Sequence, residues 1–265
     1  MNQPPPLDAL VELALEAGRE IMRVRGDGFA AMKKGDGSPV TIADQRAEAI
    51  IEAGLAKLCP GAPMIGEESV AAGVVPACGP FFFCVDPLDG TRDFVAGGDE
   101  FTVNIGLIER GAPTMGVVYA PASGELFAGE PGRAVKGEAQ TPIVAAAEKP
   151  AQGWRVVASR HSGRNAATAA FLAAIGPHTL CNGSSSIKFC RLAENAADLY
   201  PRFGEVNEWD AAAGHAVLNA AGGGVMRLDG SPLVYGAPDG DFLVRGFIAY
   251  ANAAAQAAAR DAIKR

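Results

Sequence analysis

The segment Asp86-Pro87-Leu88-Asp89-Gly90-Thr91 constrains this chain more than any other, because it follows directly on the apolar run Phe81 to Val85. That run has the length and aromatic content of a buried strand. The segment offers four hard oxygen donors, namely two carboxylates, the Leu88 carbonyl and the Thr91 hydroxyl. Magnesium prefers such ligands, and paired carboxylates can bridge two ions about 3.5–4 Å apart. The alternative is an Asx-type turn in which both aspartates only accept backbone hydrogen bonds.

Hydrophobic periodicity along the rest of the chain predicts an α/β protein. The predicted helices run from Leu7 to Met22, Asp44 to Leu58, Ser184 to Glu194, Asp210 to Ala221 and Ala251 to Lys264. The predicted strands are Phe81 to Val85, Phe101 to Ile108, Thr114 to Tyr119, Arg155 to Ala158 and Asp198 to Phe203. A polar, proline-bearing segment near residue 147 is the expected border between halves at 1–147 and 148–265. Gly222-Gly223-Gly224 does not indicate a dinucleotide-binding site, because these glycines do not open a helix after a strand. They are interpreted as the end of a helix.

The charge balance excludes nucleic acid as a partner. The chain has 23 Lys and Arg against 30 Asp and Glu, a formal net charge of −7, whereas nucleic-acid binding needs a cationic face. We therefore expect metal ions to capture an anionic substrate locally. Five scattered cysteines without a C-x-x-C pair predict reduced thiols in a cytoplasmic protein. No secretory signal or integral membrane segment is expected; peripheral contact with the inner face of the cell membrane and a homodimer are left open.

Two further acidic segments are only weak evidence for a metal site when each is taken alone. Gly66-Glu67-Glu68-Ser69 could form a solvated helix start, and Trp209-Asp210-Ala211-Ala212-Ala213-Gly214 could place an ordinary N-cap before an Ala-rich helix. Their occurrence together with the Asp86 segment favours a shared metal site.

In this order, GEES at 66–69, DPLDGT at 86–91 and WDAAAG at 209–214 resemble the three signatures of the inositol monophosphatase-like, lithium-sensitive phosphatase superfamily. The resemblance covers almost the whole chain and includes the segment from Lys33 to Asp44. It implies the inositol-monophosphatase and fructose-bisphosphatase fold, an α+β or α/β sandwich layered αβαβα. It also implies a magnesium-dependent phosphatase.

The resemblance also implies a set of ligands for two or three Mg²⁺ ions. One ion would be held by Glu67, Asp86, the Leu88 carbonyl and Thr91, and a second by Asp86, Asp89 and Asp210. The 1–147 half would thus carry most metal ligands, and the 148–265 half would carry the substrate contacts and Asp210.

For catalysis, the resemblance implies that Asp44 and the Thr91 hydroxyl orient and deprotonate the attacking water. Glu67 or Glu68 is the alternative partner, and Thr41 is a helper or an ordinary helix cap. A metal-activated water would then displace the leaving group in line at phosphorus.

The C-terminal half narrows the expected substrate. The segments from Asn182 to Cys190 and from Leu199 to Gly204 look like those of the CysQ-type 3'(2'),5'-bisphosphate nucleotidases. The implied substrate contacts are Glu67, Leu88, Asp89, Gly90, Thr91, Arg160, Gly183, Ser184, Ser185, Lys188 and Asp210. Phe203 occupies the position where inositol-specific relatives carry an acid, so we expect its ring to border a base or ribose.

The leading hypothesis is hydrolysis of adenosine 3',5'-bisphosphate to AMP and phosphate, a clean-up step for sulfate activation. An inositol-1-monophosphatase or other sugar monophosphatase on the same metal site is the alternative. A catalytically inert nucleotide-binding protein is the non-enzyme alternative, and the intact set of ligand positions disfavours it.

Overall fold

The computed structural model describes residues 3–33, 39–148, 150–159, 165–236 and 241–264. Within these ranges the helices are α1 Leu7–Asp27, α2 Ile42–Leu58, α3 Glu67–Ala71, α4 Thr91–Val95, α5 Ala166–Ile175, α6 Ile187–Ala193, α7 Glu208–Ala220 and α8 Ala253–Ile263. None of them combines the length and the apolar character that crossing a membrane requires.

The strands form two large sheets and two short ribbons. Those of the first half are β1 Met32–Lys33, β2 Pro39–Val40, β3 Met64–Gly66, β4 Phe81–Asp89, β5 Thr102–Glu109, β6 Ala112–Ala120, β7 Glu125–Glu130, β8 Arg133–Lys136 and β9 Thr141–Pro142. Those of the second half are β10 Trp154–Ser159, β11 His178–Gly183, β12 Leu199–Arg202, β13 Val206–Asn207, β14 Gly224–Arg227, β15 Leu243–Val244 and β16 Phe247–Tyr250. The first sheet has the order β3-β4-β5-β6-β7-β8-β9, and the second has the order β11-β10-β12-β16-β14.

The first sheet is buried on both faces, as the alternation along β4 shows. Phe83 and Val85 belong to a core that α1 and α2 cover, while Phe82 and Cys84 point into a second core on the opposite face. A strand with both faces buried consists of consecutive apolar residues, and this explains why the segment from Phe81 to Val85 contains no charged or strongly polar residue.

Helix α7 covers the opposite face of the first sheet at unusually close range. A Cβ atom added at Gly116 would lie 2.3 Å from the Ala213 carbonyl oxygen, and one at Gly129 would lie 2.8 Å from the Val217 Cα. Only glycine permits such an approach. The start of α7, which carries Asp210, is therefore held against the sheet that carries Asp86.

The second core also includes α6 and one face of the second sheet, whereas α5 and α8 pack on the other face of that sheet. The layers are thus α1 and α2, the first sheet, α6 and α7, the second sheet, and α5 and α8. This confirms the αβαβα sandwich expected from the sequence. The border near residue 147 stays a prediction.

The predicted elements are present with shifted ends. The second helix begins at Ile42, before the predicted Asp44, because Thr41 and Asp44 form a capping box. The predicted helix at Ser184 begins only at Ile187, because β11 continues through Gly183. Helix α5 was not predicted, and among the strands of four or more residues neither were β7, β8, β11, β14 and β16.

Candidate active site

Three chain segments bring the acidic side chains of the separate sequence motifs together. Strand β3 pairs in parallel with β4, with Gly66 opposite Val85, so Glu67 and Asp86 leave adjacent strands at the same edge. Asp210 lies in the first turn of α7 and accepts a hydrogen bond from the Asn207 backbone N–H at 2.9 Å. Asp86 does form the Asx-type turn, since its Oδ1 accepts the Leu88 backbone N–H, but Asp210 is the third residue of a capping box whose N-cap is Asn207. Neither local role excludes a metal site.

Glu67, Asp86 and Asp210 each place one carboxylate oxygen within 4.8 Å of the others. Magnesium binds oxygen at about 2.0–2.1 Å, so ligands on opposite sides of one ion lie about 4.2 Å apart. The three oxygens are hard donors at a spacing that suits a divalent cation, and the residues present fit the implied metal.

Asp89 lies beside this cluster at the end of β4 and is tied to the second half of the chain. Its Oδ2 accepts the Ser186 backbone N–H at 2.6 Å, and its carbonyl accepts the Ser185 hydroxyl at 3.0 Å. The pairing of β4 with β5 shifts between Asp86 and Asp89, which bends the strand around the site. Gly90 then takes φ 99°, a conformation that glycine adopts without strain.

The electrostatics of the cluster favour a cation. Burial, followed by the charges of Glu67, Asp89 and Asp210, raises the pKa of Asp86 well above its usual range. Burial raises the pKa of Asp89 to about 6 against the opposing charge of Lys188. Burial and the charges of Asp89 and Glu67 raise the pKa of Asp210 to about 8. Several carboxylates forced together in this way gain stability from a bound divalent ion.

Thr91 and Asp44 form a hydrogen-bonded pair at the rim of the cluster. The Thr91 hydroxyl lies 3.1 Å from Asp44 Oδ1 and 3.0 Å from the Leu88 carbonyl oxygen. Asp44 is buried, and its Oδ2 accepts both the backbone N–H and the hydroxyl of Thr41. Burial raises the Asp44 pKa, which makes this carboxylate a stronger base.

A cavity of about 330 Å³ opens over the acidic cluster and contains most of the expected substrate contacts. Of the predicted site residues, those that line it are Glu67, Asp86, Leu88, Asp89, Gly90, Thr91, Ser184, Ser185, Lys188 and Asp210. Gly183 lines a neighbouring cavity instead, and Arg160 lies outside the described residues.

Lys188 is the buried cation of this cavity. Its ammonium donates to the Ser185 carbonyl at 2.5 Å and lies 5.1 Å from the centroid of the Tyr200 ring. Burial lowers its pKa to about 8 although Asp89 opposes the shift. Lys188 is therefore charged below pH 8 and oriented beside the acidic cluster.

The placement of Phe203 differs from the sequence expectation. Alternation along β12 turns Tyr200 and Arg202 toward the cavity and sends Phe203 to the opposite face, where its ring centroid lies 5.7 Å from that of Phe171. The expectation that Phe203 borders a base or ribose is therefore wrong. Arg202 and Tyr200 line the cavity and had no predicted role. A basic residue within an apolar strand is unusual, so Arg202 could have been recognised from the sequence as a candidate site residue.

Comparison with known proteins agrees with this architecture. A family model described as the inositol monophosphatase family matches residues 3–264. The 3'(2'),5'-bisphosphate nucleotidase CysQ of Escherichia coli strain K12 is 43% identical over 244 residues, which cover 91% of this chain and 98% of the relative. The crystal structure of CysQ from Bacteroides thetaiotaomicron aligns with a TM-score of 0.77 at 34% identity, covering 92% of this chain and 96% of that one. The extragenic suppressor protein suhB from Bartonella henselae aligns with a TM-score of 0.78 at 25% identity, covering 97% and 98%.

Proposed function

Because this chain belongs to the inositol monophosphatase family and is a metal-dependent phosphatase, we propose that it is a 3'(2'),5'-bisphosphate nucleotidase. The proposed reaction is Mg²⁺-dependent hydrolysis of adenosine 3',5'-bisphosphate to AMP and phosphate. Glu67, Asp86, the Leu88 carbonyl, Thr91, Asp89 and Asp210 would hold the ions. The cytoplasmic location, the homodimer and the number of ions stay predictions.

One observation carries the choice of substrate. A single cavity joins the acidic cluster to a buried lysine and an arginine, Lys188 and Arg202. Metal held by the acids suits the phosphoryl group that reacts, while the two cations suit a second anionic group on the same molecule. The ring hydroxyls of an inositol phosphate carry no charge for those cations to neutralise.

Side chains of the protein would then orient the attacking water and accept its proton. Bound Mg²⁺ would supply the positive charge that lowers the pKa of a water molecule and neutralises the phosphoryl oxygens. The Thr91 hydroxyl donates to Asp44 Oδ1, so its oxygen lone pairs remain to accept a hydrogen bond from that water. As the water loses its proton to the Thr91 oxygen, the Thr91 hydroxyl proton would pass to Asp44. Attack in line with the departing ribose oxygen completes the displacement. Glu67 is the alternative group for orienting the water.

The test is a comparison of kcat/KM for adenosine 3',5'-bisphosphate, inositol 1-phosphate and fructose 1,6-bisphosphate in MgCl₂. We expect the bisphosphate nucleotide to be preferred, and a clear preference for inositol 1-phosphate would refute the proposal. Lys188→Gln should reduce kcat/KM for the bisphosphate more than for adenosine 3'-monophosphate, which lacks the second phosphate. Binding of the nucleotide without phosphate release would instead indicate an inert binding protein.

A further inference from the structure

Glu48 of α2 is a buried carboxylate that lies outside the cavity, with 5% of its surface exposed. Its Oε2 accepts the Glu68 backbone N–H at 2.8 Å. Its Oε1 accepts the Ser69 backbone N–H at 2.7 Å and the Ser69 hydroxyl at 2.5 Å. Both oxygens are thus committed to the first turn of α3, the turn that presents Glu67.

Glu48 also contacts the chain on the other side of Glu67. A Cβ atom added at Gly66 would lie 2.7 Å from the Glu48 carboxyl carbon, so the carboxylate rests directly against this glycine. The backbone is therefore fixed before Glu67 by contact with Gly66 and after it by the hydrogen bonds to Glu68 and Ser69.

Glu48 lies on the same face of α2 as Asp44. Asp44 lies four residues earlier, and residues four apart share one face of a helix. Asp44 holds the Thr91 hydroxyl of one motif, and Glu48 holds the Glu67 turn of the other. One face of one helix therefore sets the position of two segments that line the cavity.

We infer that Glu48 is a positioning residue, which holds Glu67 in the orientation that binds metal. The inference rests on the proposed function, in which Glu67 is a metal ligand. Glu67 must bring a carboxylate oxygen within 4.8 Å of those of Asp86 and Asp210, and its place in the first turn of α3 makes that approach depend on how the turn is held. Outer-shell partners of this kind typically change metal affinity or activity by about 10- to 100-fold when they are removed.

The primary experiment compares Glu48→Gln with Glu52→Gln, a matched change at an exposed position one turn further along α2. The glutamine keeps one acceptor for Ser69 but presents an NH₂ group to the Glu68 N–H, so the turn loses a bond. Titration calorimetry with Mg²⁺ alone should show about tenfold weaker binding in Glu48→Gln and no change in Glu52→Gln. At saturating Mg²⁺, kcat of Glu48→Gln should return to within about twofold of the parent value.

Hydrogen exchange of the metal-free protein supplies a readout that does not depend on activity. Glu48→Gln should accelerate exchange of the Glu68 and Ser69 amides, while those of β4 keep their protection. A variant that is only less well folded would lose kcat without recovering it at high Mg²⁺, and its exchange would rise throughout the chain. That pattern, or unchanged Mg²⁺ affinity, would overturn the inference.

Two further variants separate the alternatives. Glu67→Gln tests the proposed function itself: if it leaves Mg²⁺ affinity unchanged, the assigned site is wrong. If Glu67→Gln weakens binding and Glu48→Gln does not, only the positioning role fails. Glu48→Asp keeps the charge but withdraws it by about 1.5 Å, so positioning predicts weakened binding. Parent-like binding in Glu48→Asp would mean that Glu48 acts through its charge alone.

Discussion

The change Asp210→Asn should stabilise the metal-free protein while it abolishes the response to Mg²⁺. Burial, followed by the charges of Asp89 and Glu67, raises the pKa of Asp210 from 3.8 to about 8. Between these two values the folded protein retains a proton that the unfolded chain has released. The free energy of unfolding therefore falls as the pH rises from about 4 to about 8, and it levels off above that range.

The size of the effect follows from the same pKa. One pKa unit corresponds to about 1.4 kcal/mol, so full expression of the shift, from 3.8 to about 8, would remove about 6 kcal/mol of stability above pH 8. The shift is shared between burial and the charges of Asp89 and Glu67, and asparagine is buried in the same place, so we expect a gain of about 2–3 kcal/mol from the single change. For a domain of this size that raises Tm by about 5–10 °C. The amide oxygen of asparagine can still accept the Asn207 N–H that caps α7.

The assay is thermal unfolding in EDTA from pH 5 to pH 8.5, repeated with excess Mg²⁺. The parent Tm should fall as the pH rises in EDTA and should recover with Mg²⁺. At a free Mg²⁺ concentration about 100 times Kd, binding adds about 2.7 kcal/mol to the free energy of unfolding. The Asp210→Asn variant should show a flatter profile and no recovery. Asp261→Asn, an exposed position on α8, is the matched control and should follow the parent. If Asp210→Asn is no more stable than the parent in EDTA at pH 8, the like-charge reasoning is refuted.

Three other changes test separate parts of the site. Thr91→Val should lower kcat by at least about 100-fold at saturating Mg²⁺, while Thr91→Ser, which keeps the hydroxyl, should stay within about tenfold in a phosphate-release assay. KM for the bisphosphate should rise above pH 8 as Lys188 loses its charge, whereas Lys188→Arg should give a flat KM from pH 7 to pH 9.5. Gly90→Ala should weaken Mg²⁺ binding, because its Cβ would lie 2.6 Å from the Ser185 hydroxyl oxygen. The control is Gly124→Ala, at φ 72° with open space around it, which should lower Tm by a similar amount but leave Mg²⁺ binding unchanged.

The parts of the site that lie within continuous segments were predictable from the sequence. Asp86, Asp89 and Thr91 stand in one turn after one strand, so their proximity follows from the local chain. The clustering of Glu67 and Asp210 with them depended on a resemblance, because no local rule relates segments so far apart. Glu48 was missed for this reason, since its role arises only where α2 meets α3.

Two other differences between sequence and structure arise at strands: one concerns which face a side chain takes, and the other concerns where a strand ends. Phe203 was placed in the cavity by its distance from Asp210 along the chain, but the two-residue period of β12 assigns Tyr200 and Arg202 to that side. A helix was predicted from Ser184, directly after Gly183, yet β11 continues through Gly183 and α6 begins four residues later, at Ile187. Strand boundaries are set by pairing partners, which a single sequence does not reveal.

Asp86, Asp89 and Asp210 are each oriented by a backbone amide that donates to one carboxylate oxygen. Asp86 accepts the Leu88 N–H at 2.9 Å, Asp89 accepts the Ser186 N–H at 2.6 Å and Asp210 accepts the Asn207 N–H at 2.9 Å. These donors hold the side chains in place before any cation arrives, against their mutual repulsion. Asparagine can make the same bonds, so exchanging an acid for its amide should remove charge and leave geometry. Metal binding and fold can therefore be tested separately at this site, because the amides orient the proposed ligands whether or not these carry charge, whereas attraction of an ion requires the charge.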